Sequence, residues 1–165
     1  MSDIDIRRAE ERDLSALGRL GAVMVRLHHG FDHDRFMAPG ANVEEGYAWF
    51  LGTQLAELDV FVAVAEREGE VVGYVYAGLE PESWKELRGP AGFVHDLVVD
   101  EHVRGEGIGT KLAEAAAAWL ESRGAPRVML WTAQKNEPAQ RLFERLGFRR
   151  TMIEMTRERG AGKRL

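Results

Sequence analysis

The sequence of 165 residues contains no cysteine. Disulfide bonds, a thiol nucleophile and a thiolate metal site are therefore excluded. The sequence also lacks an excess of basic residues, since the formal net charge at pH 7 is -5, and we predict no nucleic-acid-binding surface. A mild negative charge is compatible with a cationic small-molecule substrate, although it does not require one.

Long apolar runs are missing as well. No stretch approaches the ~20 apolar residues that are needed to span a bilayer. The first eight residues alternate charged side chains with Ile and do not form the apolar region of a signal peptide. We therefore predict a cytoplasmic protein that does not associate with a membrane. The length fits a single domain, expected at residues 1–157, with a flexible tail at residues 158–165.

Hydrophobic periodicity predicts the order of the secondary-structure elements. The predicted strands are residues 4–7, 60–65, 71–79, 93–99, 127–132 and 148–156. The predicted helices are residues 14–27, 44–58, 107–123 and 138–146, and residues 28–40 and 80–90 are expected to be loops. The order β-α-α-β-β-β-α-β-α-β predicts an α/β fold, with flanking helices on a mixed β-sheet.

Three glycines at alternate positions, Gly105, Gly107 and Gly109, lie between a predicted strand and the start of a predicted helix. The free N–H groups of a helix N-terminus bind phosphate, and glycine lets the backbone approach it closely. A Walker loop is excluded because Gly109-Thr110-Lys111 breaks its Gly-Lys-Ser/Thr order, and a dinucleotide fingerprint needs a glycine where Thr110 stands. The alternative interpretation is that these glycines only form a tight turn.

The segment Arg104-Gly105-Glu106-Gly107-Ile108-Gly109-Thr110 resembles the Gln/Arg-x-x-Gly-x-Gly/Ala signature of the GNAT family of N-acetyltransferases. Two further segments agree with that family. Residues 93–99, Phe-Val-His-Asp-Leu-Val-Val, resemble its central strand, and residues 136–148, Asn-Glu-Pro-Ala-Gln-Arg-Leu-Phe-Glu-Arg-Leu-Gly-Phe, resemble its second signature. The resemblance covers nearly the whole chain and implies the acyl-CoA N-acyltransferase fold with a splayed central strand.

The same resemblance implies that acetyl-CoA is the acetyl donor and that no metal takes part. In similar proteins the glycine loop holds the pyrophosphate, the backbone of the central strand pairs with the pantetheine arm, and an Asn of the second signature contacts the cofactor. The implied cofactor-binding residues are Leu97, Val98, Val99, Arg104, Gly105, Glu106, Gly107, Ile108, Gly109, Thr110, Asn136, Ala139 and Phe143.

The implied reaction is direct attack of a primary amine of a small molecule or protein on the thioester, through a tetrahedral intermediate. His95 and Asp96 are the candidate catalytic residues, since they match the Glu-Asp pair of similar diamine acetyltransferases. A neutral imidazole accepts a proton, so His95 is the candidate base, with a purely structural role as the alternative. As neighbours on a strand, the two side chains are expected to point to opposite faces. The oxyanion donor implied by the resemblance is the N–H of Leu97 or Val98.

One residue departs from the family pattern. Phe143 stands where the family carries a tyrosine that protonates the leaving thiolate, and a phenyl ring donates no proton. Three options remain for the leaving thiolate: it takes a proton from water, it takes one from another tyrosine (Tyr47, Tyr74 or Tyr76), or it leaves without a proton donor. The presence of Phe143 also supports an alternative function, a catalytically weak sensor domain that binds acyl-CoA. A pure interaction domain, which binds no acetyl-CoA, is the third hypothesis.

Residues 28–34 are rich in histidine and aspartate, but their spacing matches no specific metal motif, and we predict no metal site. In similar acetyltransferases the stretch between the first two helices lines the acceptor pocket. The candidate substrate-contacting residues are therefore His29, Phe31, Asp32 and Tyr47, with a solvated polar loop as the alternative. The resemblance is compatible with a homodimer. Aminoglycosides, polyamines, amino acids and protein amines all stay open as acceptors.

Overall fold

A computed structural model describes residues 3–161. Its strands are β1 (Asp5–Arg8), β2 (Val60–Arg67), β3 (Glu70–Glu80), β4 (Ala91–Val99) and β5 (Val128–Leu130). Its helices are α1 (Leu14–Phe31), α2 (Val43–Gln54), α3 (Ile108–Ser122) and α4 (Glu137–Arg145). These nine elements follow the predicted order, and none of the described helices is long and apolar enough to cross a membrane. The part of the predicted tail beyond residue 161 lies outside the described residues, and the single-domain bounds stay a prediction.

The five strands form one sheet in which the spatial order equals the chain order. The first four strands are antiparallel neighbours, whereas β5 is parallel to β4. Parallel neighbours need a long crossover, and α3 supplies it. This arrangement is the strand–loop–helix–strand unit that the sequence predicted around the glycine loop.

Each face of the sheet carries its own hydrophobic core. On one face α3 packs against the sheet, and the buried residues include Val75, Ala77, Val94, Leu112 and Ala116. On the other face α1 and α2 cover the sheet, and the buried residues include Leu17, Leu20, Leu51, Tyr74 and Val98. The opposite placement of neighbours such as Tyr74 and Val75 follows from the two-residue period of a strand.

Two helix ends differ from the prediction by four residues, whereas the other helix bounds agree within one residue. Helix α1 continues to Phe31, so the first histidines of the predicted loop are helical, and the N–H of Asp32 still donates to the carbonyl of His28. Helix α2 ends at Gln54, four residues before the predicted end, although apolar residues continue beyond it. Hydrophobic periodicity marks the buried face of a helix but does not fix its last turn.

The predicted final strand at residues 148–156 is wrong. No strand is assigned there, and the side chains of Met152, Ile153 and Met155 are 81%, 85% and 90% exposed. The edge strand β5 has three residues, all paired with β4. Strand propensity alone does not make a strand, because a strand also needs hydrogen bonds to a neighbouring strand.

Candidate functional site

Strands β4 and β5 separate after three paired residues. Gly92, Phe93 and Val94 pair with Val128–Leu130, whereas β4 continues to Val99 paired with β3 alone. We call the space beside β4 residues 95–99 the β4–β5 gap. The strand edge that faces it has no strand partner within residues 3–161, so an extended ligand is able to add there as a further strand. The predicted splayed strand is thus confirmed.

The glycine loop begins after β4 and opens α3. Gly105 and Gly107 have φ values of +83° and +82°, a left-handed conformation that favours glycine. Gly107 is the N-cap of α3, and its carbonyl accepts the first helical hydrogen bond from the N–H of Lys111 at 3.1 Å. The N–H groups of residues 108–110 therefore precede the first helical bond and point out of the helix end. Together with the helix dipole, they form a site suited to phosphate.

Close packing joins the glycine loop to α4 and to the end of β4. A Cβ built on Gly109 would lie 3.3 Å from Cδ2 of Leu142 in α4 and 3.7 Å from Cγ2 of Val99. Glycine at this position lets the three elements meet. The loop, the unpaired edge of β4 and the second predicted signature therefore border one region.

The charged side chains of the loop have partners within the protein. Arg104 Nε donates to the carbonyl of Val99 at 3.1 Å, and the carboxylate of Glu106 pairs with Arg67. Arg67 offsets the negative charge of Glu106, which would otherwise repel a phosphate. The side chains of Arg104 and Glu106 shape the loop, and the backbone N–H groups remain available for a ligand.

The residues of the second predicted signature have structural partners as well. Asn136 caps α4, because its side-chain oxygen accepts a hydrogen bond from the N–H of Ala139 at 3.4 Å. Phe143 is 8% exposed and packs edge-to-face against Phe148, with ring centroids 5.5 Å apart. Contact of Asn136, Ala139 and Phe143 with a cofactor stays a prediction.

A β-bulge in β4 sets the orientation of the candidate catalytic pair. Tyr76 of β3 pairs with Asp96 and the following β3 residue pairs with Val94, which leaves His95 as the extra residue. The His95 ring lies 4.8 Å from the Tyr76 ring, and Asp96 accepts a 3.0 Å hydrogen bond from the Tyr74 hydroxyl. Tyr74 and Tyr76 share one face of β3, so His95 and Asp96 share that face too. The expectation that they point to opposite faces is therefore wrong.

Asp96 is a buried carboxylate that binds two tyrosine hydroxyls. Its exposure is 8%, and its Oδ2 accepts hydrogen bonds from Tyr47 of α2 and Tyr74 of β3. Burial raises the pKa of Asp96, while the two hydroxyl donors act in the opposite direction. Burial and the charge of Asp96 raise the pKa values of Tyr47 and Tyr74. Both tyrosines therefore stay protonated and act as donors.

His95 lies at the accessible edge of this cluster. Its ring is flanked by Tyr76 and by Phe93, whose ring centroid is 5.9 Å away. Its Nε2 lies 3.3 Å from Oε1 of Glu80, and 31% of its side chain is exposed. Glu80 was not among the predicted site residues. The two-residue period of β3, which carries Tyr76, Gly78 and Glu80 on one face, was the signal that pointed to it.

A row of aromatic rings crosses from α2 to the end of β5 beside Asp96. We call these six rings the aromatic row, and in order they are Tyr47, Phe50, Tyr76, His95, Phe93 and Trp131. The distances between the centroids of successive rings are 5.8 Å, 5.8 Å, 4.8 Å, 5.9 Å and 5.8 Å. The row therefore ends beside the point where β4 and β5 separate. Aromatic faces attract cations, so the row suits a ligand that is both apolar and positively charged.

The predicted substrate-contacting residues separate into two groups. Tyr47 reaches Asp96, as described above. His29 Nδ1 lies 3.2 Å from the carbonyl of Phe36, and Asp32 Oδ1 accepts 3.1 Å hydrogen bonds from the N–H groups of residues 34 and 35, so both shape the α1–α2 connection. Within residues 3–161 no group of three or more His, Asp or Glu side chains is placed to hold a metal ion.

The end of α1 and the α1–α2 connection contact segments that follow β5 in the chain. The carbonyl of Phe31 accepts a 2.9 Å hydrogen bond from Lys135 Nζ in the β5–α4 loop, and Arg35 forms an ion pair with Glu154. The ring of Phe31 packs edge-on against His28 at 5.6 Å. This position is compatible with the predicted acceptor wall, but direct contact of His29, Phe31 and Asp32 with a substrate stays a prediction.

Comparisons with known proteins agree with this architecture. Residues 26–148 match the family model described as the Acetyltransferase (GNAT) family. An uncharacterised N-acetyltransferase of Archaeoglobus fulgidus is 33% identical over 149 residues, which cover 89% of this chain and 94% of that protein. The mycothiol acetyltransferase of Thermobispora bispora is 38% identical over 92 residues, which cover 56% of this chain and 31% of that protein. The chain thus matches about a third of the length of the mycothiol acetyltransferases.

Solved structures share the fold over nearly the whole chain. The aminoglycoside N-acetyltransferase AAC(6')-Iy in complex with CoA superposes with a TM-score of 0.75 at 19% identity, covering 96% of this chain and 97% of that one. A transcriptional regulator from Bacillus halodurans C-125 has a TM-score of 0.75 at 21% identity, covering 94% and 99%. These likenesses concern the fold and confirm the predicted one.

Proposed function

Because the chain belongs to the acetyltransferase (GNAT) family, we propose that it transfers an acetyl group from acetyl-CoA to a primary amine of a small molecule or a protein. The observation that carries the proposal is the β4–β5 gap, which opens beside a glycine loop suited to phosphate. Acetyl-CoA has a pyrophosphate and an extended arm with amide groups, so it matches both features.

The residues of the loop and of β4 fit this donor. A Cβ at Gly105 or Gly107 would meet no atom within 4 Å, so the surface above the loop is open. The N–H groups of residues 108–110 receive the pyrophosphate. The backbone of residues 97–99 pairs with the pantetheine arm as an added strand. The relative AAC(6')-Iy has been solved in complex with CoA, which supports the same donor here.

The catalytic steps use the bulged end of β4. His95 accepts a proton from the acceptor's ammonium group, and the freed amine attacks the thioester carbonyl. The new C–N bond gives a tetrahedral oxyanion, which the N–H of Leu97 or Val98 stabilises. The nitrogen of this intermediate loses its remaining extra proton to solvent water, and collapse then breaks the C–S bond, which gives the neutral amide and the CoA thiolate. Asp96 lies beside His95 on the same face and contributes negative charge close to the attacking nitrogen.

The thiolate leaves without a tyrosine donor in this proposal. Phe143 has no hydroxyl, and the hydroxyls of Tyr47 and Tyr74 already donate to Asp96. Tyr76 donates to Gln54 Oε1 at 3.1 Å. A thiol has a pKa near ~8.5, so its thiolate is a tolerable leaving group that water is able to protonate later.

A catalytically weak sensor domain is the alternative that Phe143 favours. A screen of amine acceptors with acetyl-CoA, in which the release of free CoA thiol is measured, separates the two functions. The proposal expects turnover with at least one amine. Binding of acetyl-CoA without turnover on small-molecule and peptide amines supports the sensor instead. The homodimer and the cytoplasmic location also stay predictions.

A further inference from the structure

Two buried carboxylates of this chain differ in their partners. Asp13, 4% exposed, is held by Arg7 through hydrogen bonds of 2.8 Å and 2.9 Å to its two oxygens. The partners of Asp96 within residues 3–161 are two neutral hydroxyls, with no lysine or arginine. Buried carboxylates normally have a cationic partner. Asp96 therefore lacks the hydrogen-bonded arginine or lysine partner that Asp13 finds within the protein.

One oxygen of Asp96 is left for a ligand. Tyr47 and Tyr74 both donate to Oδ2, and Oδ1 accepts no hydrogen bond from the described part of the chain. Within residues 3–161, Nε of Arg67 is the one fully enclosed side-chain polar atom without a partner, so Asp96 Oδ1 is not fully enclosed. A carboxylate oxygen has two lone pairs, and those of Oδ1 are available.

The surroundings of Asp96 favour a cation. The titratable groups that face it are Tyr47 of α2, Tyr74 and Tyr76 of β3, His95 of β4 and His28 of α1. His28 Nδ1 lies 2.8 Å from the carbonyl of Met24 and therefore donates to it. None of these groups carries a permanent positive charge. The aromatic row adds π faces that attract an ammonium group.

We infer that Asp96 Oδ1 receives the ammonium group of the acceptor, and that the acceptor is an alkylammonium compound whose apolar part lies along the aromatic row. This inference rests on the proposed function, because it names the substrate class of the same site. The ammonium donates a hydrogen bond to Oδ1 and is held beside His95. His95 then removes one proton from the nitrogen, and the neutral amine attacks.

The test measures binding rather than turnover. Protein saturated with CoA is titrated with N,N-dimethylbenzylamine, which is cationic and not acetylated, and with benzyl alcohol, its neutral counterpart. Asp96→Asn is expected to weaken binding of the amine roughly 10- to 100-fold, the cost of losing a hydrogen bond to a charged group. Binding of the alcohol is expected to change less than about threefold. The control Asp5→Asn removes an exposed carboxylate on β1 and leaves both affinities unchanged.

Two results overturn the inference: no amine binding by the wild-type protein, or equal losses for amine and alcohol in Asp96→Asn. Tyr47→Phe provides a second variant that keeps the carboxylate, should Asp96→Asn not fold. It removes one of the two donors to Oδ2, which raises the pKa of Asp96 further and holds the carboxylate less firmly, so binding of the amine is expected to weaken while binding of the alcohol changes little. Equal losses for amine and alcohol in Tyr47→Phe contradict the inference.

The binding test and the turnover screen separate two failures. Amine binding that depends on Asp96, without acetyl transfer to any amine, refutes the proposed enzyme but keeps the ammonium site. If the protein transfers acetyl groups but its affinity for the amine does not change in Asp96→Asn, the proposed enzyme activity stands and the ammonium site at Asp96 is refuted.

Discussion

The ring of Tyr47 lies directly over Gly21, so that a Cβ built on Gly21 would be 2.1 Å from Cδ1 of Tyr47. This contact lets α2 approach α1 closely enough for the Tyr47 hydroxyl to reach Asp96 Oδ2 on the sheet. Glycine is needed at position 21 because of the close approach. The packing of two helices thereby fixes a donor to the carboxylate beside the proposed reaction centre.

Gly21→Ala is expected to displace Tyr47 and to destabilise the protein by about 1–3 kcal/mol, the usual cost of overpacking a core. Urea unfolding measures this change. The matched control is Gly46→Ala in α2, where a Cβ would meet no atom within 4 Å, and which is expected to stabilise the helix by roughly 0.5–1 kcal/mol. Equal effects of the two substitutions would show that the Tyr47 contact is unimportant.

Gly107→Glu is expected to abolish stabilisation by acetyl-CoA. At a hundredfold excess over Kd, acetyl-CoA should raise the Tm of the wild-type protein by about 5–10 °C. The new side chain blocks the backbone N–H groups and repels the phosphates. Gly124→Glu is the matched control, because Gly124 has a φ of +87° and equally open surroundings at the other end of α3. The phosphate assignment fails if both variants respond to acetyl-CoA alike.

His95→Ala is expected to lower kcat by about 10²–10⁴-fold, the usual contribution of a general base. The affinity for acetyl-CoA, measured by calorimetry, should stay within about twofold, since the donor binds through backbone groups. His102→Ala, which alters a histidine with 83% of its side chain exposed, is the control. A His95→Ala protein with most of its activity would identify His95 as a structural residue.

The glycine loop and the four helices were predictable because they depend on residues that are close together in the sequence. The three glycines predicted the loop because Gly105 and Gly107 need positive φ and Gly109 needs close packing. The helical stripes predicted four helices because each buries one apolar face. The order of elements then limited the sheet to a small number of arrangements.

Features that depend on pairing between distant segments were not predictable in this way. The bulge at His95 exists because of how β4 pairs with β3, and no local motif marks it. The contact of His95 with Glu80 follows from that bulge. The strand predicted at residues 148–156 failed for the same reason, since strand propensity does not supply a partner edge.

The two buried carboxylates should respond to pH in opposite ways. Hydrogen bonds from Arg7 hold the pKa of Asp13 below its ordinary value of 3.8, so its contribution to stability is present at neutral pH and is lost as the pH falls through the lowered value. Burial raises the pKa of Asp96, so its ionisation costs stability as the pH rises through the raised value. Asp13→Asn should therefore cost roughly 1–3 kcal/mol at pH 7 and less in acid.

For Asp96→Asn, the free energy of unfolding relative to that of the wild-type protein should instead be higher at pH 7 than at pH 4. Urea unfolding of both variants across this range provides the measurement. Parallel stability curves for Asp13→Asn and Asp96→Asn would contradict the assigned environments.

Phe143→Tyr tests whether departure of the thiolate limits turnover. Phe143 is 8% exposed and packs against Phe148, so an added hydroxyl enters an apolar contact without an evident partner. An unpaired buried hydroxyl costs about 1–3 kcal/mol, and we expect a lower Tm with kcat unchanged or slightly reduced. Phe148→Tyr, at the half-buried partner ring, is the control for adding a hydroxyl to this pair. If instead Phe143→Tyr raises kcat by tenfold or more across pH 6–9, then a missing proton donor limits the native chain, which would favour the weak sensor over the efficient enzyme.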